Sequence, residues 1–190
     1  MKYVSIDLET TGLDPINNQI IEVAAVIDDT QNPRPLDQLP SFQAFVHHKS
    51  YTGSAYAINL NARIFKVLSD VDADKQKNNC LSLESAMNQL YDFLNNNLDQ
   101  PFNVAGKNFA GFDKPFFMFA DFPVESFHYK ILDPGSMYTT KDDIEVPSLN
   151  ECMKRAGYVD HETTHEALDD ALDVIKLIRY KMETRKTNED

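Results

Sequence analysis

The chain has 190 residues, of which 42% are hydrophobic, and its formal net charge is −12. Taken alone, this negative charge argues against a nucleic-acid partner. The inference weakens if several of the acids bind metal cations, because bound cations invert the local field. The length predicts one domain over residues 1–190, and the apolar runs are too short for a membrane span. Because a strand-like stretch follows Met1 and Lys2 directly, and because two cysteines make no disulfide framework, we expect a cytoplasmic protein without a signal peptide.

Three strands are predicted at the start of the chain. Apolar and polar residues alternate over residues 4–9 with the two-residue period of a β-strand. Residues 19–27, rich in Ile and Val, predict a second strand, and residues 42–47 predict a third, with a proline-containing connection at 28–41 between them. Because no helical pattern separates these strands, we expect an antiparallel meander.

The rest of the chain alternates helical patterns with short apolar strands, which predicts an α/β domain. Ser82 is a candidate N-cap of one helix, and Ser148 opens a capping box for a later helix. Segment 49–81 is atypical and insertion-like, with a short helix expected in residues 55–68 and a mobile polar loop in 70–79. The remaining predicted elements are a buried strand at 102–105, a helix at 112–119, a strand at 130–133, and a helix at 166–182 followed by a frayed tail at 183–190.

The acidic pair Asp7 and Glu9 is the most informative feature of the sequence. The strand period places both carboxylates on one face, side by side, next to a core. Two carboxylates this close repel each other, and their burial is costly unless cations such as Mg²⁺ or Mn²⁺, which prefer oxygen ligands, neutralise them. The alternative is an edge strand with a solvated acidic face.

Asp113 ends a second candidate motif, residues 108–113, which follows the predicted strand at 102–105. An aspartate at such a strand-to-helix junction can be a metal ligand, but it can equally cap the helix through its side-chain oxygen. The position of Asp113 alone leaves both interpretations open.

Asp170 is favoured over Asp169 as a metal ligand in a third candidate motif, residues 165–171. At about 100° per residue, Asp170 lies at the edge of an apolar helix face, whereas Asp169 and Asp173 point away from it and are expected in solvent. His165 then lies at the helix entrance or in the preceding loop, where a group that moves with substrate can be placed. The apolar face is formed by Leu168, Ala171, Leu172, Ile175, Ile178 and Met182.

Together the three motifs resemble those of the DEDD-type 3′→5′ exonucleases of the His subtype, a superfamily that includes proofreading exonucleases and RNase T. The similarity spans nearly the whole chain, and residues 147–158 resemble the helix before the third motif. Lys107 departs from the pattern, because many relatives carry a histidine there, and segment 49–81 matches no family pattern. The residues that carry the resemblance are Asp7, Glu9, Thr10, Thr11, Gly12, Asn108, Phe112, Asp113, His165, Ala167, Leu168, Asp170 and Ala171.

The resemblance implies a ribonuclease H-like fold, a mixed five-stranded sheet flanked by α-helices. It also implies an enzyme that hydrolyses phosphodiester bonds at single-stranded 3′ ends of DNA or RNA and releases nucleoside 5′-monophosphates. Two divalent ions, Mg²⁺ or Mn²⁺, are the implied cofactors, with His165 as the general base. A polymerase or a repair protein is a candidate partner. The implied metal ligands are Asp7, Glu9, Asp113 and Asp170.

Substrate contacts follow from the same motif positions by analogy. The backbone of Thr10–Gly12 is expected to hold the terminal sugar, and Leu13 is expected to contact the terminal base. Asn108 and Phe112 are expected to line the same cleft. Stacking of bases on apolar and aromatic surfaces suits an enzyme that acts on a single-stranded end.

Two competing functions remain open on the sequence. Residues 161–165 match the H-E-x-x-H zinc protease motif, with Glu183 as a candidate third ligand, although Asp160 and the paired threonines favour a loop over the continuous helix that this motif needs. The other is a non-catalytic nucleic-acid-binding module, which has no need of clustered carboxylates. Segment 49–81 can be a partner surface, a lid or a tolerated insertion, and no motif separates DNA from RNA.

Overall fold

The computed structural model describes residues 1–69 and 79–186 of the chain. The mobile loop predicted over 70–79 lies outside the described residues except for Asn79, as does the end of the tail predicted over 183–190. None of the helices in the described part combines the length and the apolar composition needed to cross a membrane.

The first three strands form the expected antiparallel meander. β1 (Lys2–Thr10) pairs with β2 (Ile20–Asp29), and β2 pairs with β3 (Ser41–His47), in both cases antiparallel. All but the last residue of β2 are buried, which explains its run of Ile, Val and Ala. β1 has a neighbouring strand on each side, so the interpretation of β1 as an edge strand with a solvated acidic face is wrong.

Three short strands extend this meander into a six-stranded mixed sheet within the described residues. β4 (Cys80–Ser82) pairs parallel with β3, β5 (Phe102–Ala105) pairs parallel with β1, and β6 (Phe127–Leu132) pairs parallel with β5. The strand order is β4-β3-β2-β1-β5-β6. The expected count of five strands is wrong because β4, with three residues, is too short to leave a periodic pattern in the sequence.

The described part of segment 49–81 contains two helices, α1 (Ala55–Leu60) and α2 (Ala62–Ser69), separated by Asn61, where one short helix is predicted. The other helices of the described residues are α3 (Leu83–Asn97), α4 (Asp113–Phe119), α5 (Pro134–Tyr138), α6 (Leu149–Arg155) and α7 (Ala167–Lys186). α7 ends at Lys186, so the tail predicted over 183–190 begins within this helix, and its fraying stays a prediction.

Local side-chain chemistry sets two helix starts where the sequence predicts them. Ser82 Oγ accepts a hydrogen bond from the Ser85 N–H, and Ser148 Oγ accepts one from the Glu151 N–H, each at 3.2 Å. α6 stops before Gly157, whose φ of +94° lies in the left-handed region that favours glycine.

The two faces of the sheet carry different helices. Val4, Ile6 and Leu8 of β1 pack on the face that α3 and α4 cover. Alternate residues of β1 point to the opposite face, where α7 lies across β1 and β2. Asp7 and Glu9 therefore face α7 rather than bulk solvent.

Candidate active site

Three distant parts of the chain converge near the end of β1. β1 and β5 run parallel, so their carboxyl ends lie at the same edge of the sheet. β1 carries Asp7 and Glu9 there, and the loop after β5 leads to Asp113, the first residue of α4. Asp170 comes from the first turn of α7. The fold therefore directs the four predicted carboxylates to one place.

Interatomic distances confirm the convergence for the first and third motifs. One carboxylate oxygen of Glu9, one of Asp170 and one ring nitrogen of His165 lie within 4.8 Å of one another. Glu9 and Asp170 are each 8% exposed, Asp113 is 2% exposed, and Asp7 is half-buried. Carboxylate oxygens and an imidazole this close together are able to hold a divalent cation.

Burial and mutual repulsion make these carboxyl groups weak acids. Burial raises the pKa of Asp7 well above its usual range, and the charges of Asp113 and Asp170 raise it further. The pKa of Glu9 is raised to about 8, by burial first and then by Asp170, and burial likewise raises the pKa of Asp113 to about 8. Burial, followed by the charge of Asp173, raises the pKa of Asp170 to about 7. The acids of all three motifs thus share one electrostatic site.

Asp170 Oδ1 is buried and has no hydrogen-bond partner among the residues that the structure describes. A buried carboxylate oxygen in this state is costly unless a ligand pairs with it. The unpaired oxygen and the excess of negative charge around Glu9 favour a site that binds divalent cations. They do not favour a structural network in which every polar atom already has a partner.

Asp113 does not act as the cap of α4, because Phe112 occupies the N-cap position. Its carboxyl group instead receives backbone hydrogen bonds from Asp113 itself and from Leu8 of β1, which lower the pKa against the larger effect of burial. The contact with Leu8 ties α4 to the strand that carries the first motif. The interpretation of Asp113 as a helix cap is therefore wrong.

His165 lies exposed in the loop before α7, as expected. Its φ of +53° is in the left-handed region that residues other than glycine seldom adopt. Residues 161–166 form a loop, so His161 and His165 do not share a helix face and the zinc protease interpretation is wrong. His161 Nε2 instead contacts Asp173 Oδ2 at 2.5 Å.

Asp173 is buried, so the prediction that it lies in solvent is wrong, whereas Asp169 is exposed as predicted. Asp173 accepts a hydrogen bond from Lys176 Nζ at 2.7 Å in addition to its contact with His161. α7 packs against the sheet on one side and against α5 and α6 on another. Its buried arc is therefore wider than the single apolar stripe that periodicity identifies.

A pocket of about 480 Å³ opens beside Glu9. Segment 49–81, which the sequence does not connect with the site, contributes Tyr56 and Asn61 to its wall. Asn61 Nδ2 donates to the Thr10 carbonyl at 3.2 Å, and a hydrogen bond from Asn61 lowers the pKa of Glu9 against burial. Four of the six residues predicted to contact substrate also line the pocket: Thr10, Gly12, Leu13 and Phe112.

The other two predicted substrate residues lie outside that pocket lining in the described structure. Thr11 anchors segment 49–81, because its carbonyl accepts from the Ser54 N–H at 2.9 Å and its hydroxyl donates to the Thr52 carbonyl at 2.6 Å. Asn108 is exposed with a φ of +59°, and its N–H donates to Asp133 Oδ2 at 3.2 Å. Contact of these two residues with substrate stays a prediction.

Glu22 is a buried acid that the sequence analysis missed. It lies opposite Glu9 in the β1–β2 register and is 0% exposed. Its carboxylate accepts hydrogen bonds from Gln43 Nε2 at 2.7 Å and from Arg63 Nη2 at 2.8 Å. The available signal was the position of Glu22 within the apolar run at the start of β2, because an acid in such a run is seldom buried without a partner.

Comparison with known proteins assigns the family. The RNase T family profile, described as Exonuclease, matches residues 4–178. The chain belongs to this exonuclease family. The oligoribonuclease of Vibrio parahaemolyticus serotype O3:K6 (strain RIMD 2210633) is 26% identical to the chain over 181 residues, which cover 94% of the chain and 92% of that relative.

Two solved structures share the fold of this RNase T-family exonuclease. Exonuclease I of Methylocaldum szegediense matches with a TM-score of 0.70 at 17% identity, and E. coli exonuclease I in complex with a dA16 oligonucleotide matches with a TM-score of 0.66 at 14% identity. The matches cover 96% and 94% of the chain and 40% of each solved chain. The expected ribonuclease H-like α/β fold is confirmed, with six strands in place of five.

The RNase T-family exonuclease is a hydrolase that acts on nucleic acid in the 3′→5′ direction. The net charge of −12 therefore does not exclude a nucleic-acid substrate for this chain. Part of this negative charge lies at the site, where Glu9, Asp170 and His165 could hold a metal ion.

Proposed function

We propose that this exonuclease is a metal-dependent enzyme of the His subtype that removes nucleotides from single-stranded 3′ ends as nucleoside 5′-monophosphates. The observation that carries the proposal is the approach of Glu9, Asp170 and His165 to within 4.8 Å, in a site whose carboxyl pKa values are raised. Such a cluster costs stability in the metal-free protein, so its benefit is expected to come from a bound ligand.

The four acids Asp7, Glu9, Asp113 and Asp170 would hold two divalent ions, Mg²⁺ or Mn²⁺. When bound, the ions supply positive charge to the scissile phosphate and to the leaving 3′-oxygen. The acids must give up their protons to act as ligands, so ion binding is expected to release protons near neutral pH.

His165 is proposed as the general base that accepts a proton from the attacking water. An imidazole can take up a proton near neutral pH, and this one is exposed beside Glu9 and Asp170. Because His165 lies in a loop, it is able to reach a substrate that binds from the solvent side.

The 480 Å³ pocket is proposed to bind the terminal nucleoside of the substrate. Its volume falls in the range of about 300–1,000 Å³ that is typical of small-ligand sites. Leu13 and Tyr56 line it while remaining 84% and 77% exposed, so they offer surfaces on which a base can stack. Short RNA is the first substrate to test because the relative is named oligoribonuclease, and single-stranded DNA is the second because one solved neighbour holds dA16.

A degradation assay tests the proposal. RNA and DNA oligonucleotides labelled at the 5′ end are incubated with the protein in Mg²⁺, in Mn²⁺, in Zn²⁺ and in chelator, and the released nucleotides are identified by chromatography. We expect stepwise shortening from the 3′ end in Mg²⁺ or Mn²⁺ and 5′-monophosphate products. Shortening that persists in Asp7→Asn, or that needs only Zn²⁺, contradicts the proposal. The cytoplasmic location and the polymerase or repair partner stay predictions.

A further inference from the structure

Arg63 connects segment 49–81 to the loop that carries His165. We propose that Arg63 is a positioning residue, which holds His165 in its working place by linking the buried Glu22 of β2 to Glu166, the residue after His165. The inference rests on the proposed function, in which His165 is the general base. It gives the insertion-like segment a role as part of the active site.

The link begins at a fixed point in the core. Glu22 is 0% exposed, and Arg63 Nη2 lies 2.8 Å from its Oε2. Gln43 Nε2 donates to the other oxygen at 2.7 Å. Because a charge-assisted contact to a buried carboxylate is short and directional, the guanidinium of Arg63 has little freedom to move. The same group lies over the Phe45 ring, 5.8 Å from its centroid.

The link ends beside His165. Arg63 Nε lies 3.1 Å from Glu166 Oε1, and the Ala167 N–H, the first of α7, points to Glu22 Oε2 at 3.4 Å. Both residues that follow His165 are thus tied to the Glu22–Arg63 pair. The positive φ of His165 makes this support necessary, since such a backbone persists only where its surroundings hold it.

The other end of the loop is tied down as well. The Thr163 N–H donates to Asn150 Oδ1 at 2.8 Å, and Asn150 Nδ2 donates to Thr163 Oγ1 at 3.1 Å. His165 therefore lies between two anchored points, one on α6 and one on Arg63. Loss of either anchor is expected to let the imidazole move relative to Glu9 and Asp170.

The Arg63–Glu166 contact is a poor candidate for a purely stabilising role. The two side chains are 35% and 38% exposed, and ion pairs with that exposure contribute little to folding. Replacing Glu166 also leaves the Arg63 charge and its pairing with Glu22 in place. Glu166→Gln is therefore expected to fold normally, whereas Arg63→Gln leaves Glu22 buried without its cation and is the less safe variant.

Steady-state kinetics in Mg²⁺ with a double-mutant cycle test the inference. We expect Glu166→Gln to lower kcat about tenfold, since small misplacement of a catalytic group is costly, while KM and the melting temperature stay close to those of the unaltered protein. In the His165→Ala background the same change is expected to have no further effect, because it acts through the missing imidazole.

Arg179→Gln is the matched control, because Arg179 also pairs a helix with a buried acid of β2 but at the far end of the strand. It is expected to lower the melting temperature and to keep kcat.

The outcomes separate the two proposals. If His165→Ala is inactive but Glu166→Gln keeps the full kcat, or lowers it equally in both backgrounds, the role of Arg63 is overturned and the proposed function stands. If His165→Ala is as active as the unaltered protein, the general base and the positioning residue are both overturned.

Discussion

β2 carries two buried acids, and the fold treats its two ends differently. At the far end, Asp28 is 1% exposed and accepts hydrogen bonds from Tyr3 Oη at 2.9 Å and from Arg179 Nη2 at 2.6 Å. Burial alone would raise the pKa of Asp28, but the hydrogen bonds from Arg179 and Tyr3 outweigh it and lower the pKa below its usual value. The charge of Asp28 is compensated inside the protein.

At the near end, Glu22 lies among the acids of the site. Arg63 contacts Glu22, and its charge lowers the pKa of Glu9, but burial and Asp170 outweigh it and the pKa is raised to about 8. Asp28 and Glu22 thus both have internal partners, which serve stability. The acids beside Glu22 lack enough partners, and under the proposed function this costs stability in the metal-free protein.

The largest expected effect is on activity at the near end. Asp7→Asn removes one of the metal ligands, so we expect kcat/KM in Mg²⁺ to fall about 1,000-fold or more, as several kcal/mol of transition-state stabilisation are lost. In chelator the same variant is expected to be at least as stable as the unaltered protein, because the repulsion among the acids decreases. Activity is measured by oligonucleotide shortening and stability by thermal unfolding. If Asp7→Asn unfolds easily but keeps its activity, Asp7 serves stability and is not a metal ligand.

The next effect is on stability at the far end. Arg179→Ala leaves Asp28 buried without its cation, and we expect the free energy of unfolding to fall by about 3 kcal/mol. Denaturant titration measures this loss. The activity of the folded variant should match that of the unaltered protein, since Arg179 and Asp28 lie at the opposite end of β2. A loss of kcat without a loss of stability would show that the two ends are coupled.

A smaller effect is expected from pH in the metal-free protein. The pKa values of Glu9, Asp113 and Asp170 are raised to about 8, 8 and 7, so the folded state holds protons that the unfolded state releases between about pH 4 and pH 8. Stability in chelator is therefore greatest below the unfolded pKa values and falls as pH rises through the folded ones. In Mg²⁺ the trend should reverse, because the ions bind the deprotonated acids. Thermal unfolding across this pH range in both conditions measures the two trends, and parallel curves would contradict metal binding by these acids.

The smallest effect is expected at Asp169, the exposed neighbour of Asp170. Asp169→Asn keeps an oxygen that can accept from Thr164 Oγ1, which now donates to Asp169 Oδ2 at 3.2 Å. Activity should therefore stay within about twofold, the range of ordinary surface substitutions. Asp170→Asn, assayed beside it, should behave like Asp7→Asn. Equal losses of activity in the two variants would show that helical periodicity does not identify Asp170 as the metal ligand.

Features that depend on neighbours a few residues away are determined by the sequence alone. The two-residue strand period identified Asp7 and Glu9 as a pair, and the helical angle of about 100° separated Asp170 from Asp169. The serine caps at Ser82 and Ser148 were identified in the same way. Backbone geometry sets each of these relations within one turn or one strand, so no knowledge of the fold was needed.

Contacts between distant segments were decided only by the tertiary structure. Arg63 meets Glu22 across 41 positions of the chain, and the Ala167 N–H meets the same carboxylate across 145. The burial of Asp173 under His161 and the addition of β4 to the sheet belong to the same class. Such partners depend on how whole helices and strands pack against each other, and this packing produces no periodic pattern in the sequence. For that reason only the tertiary structure places segment 49–81 at the site.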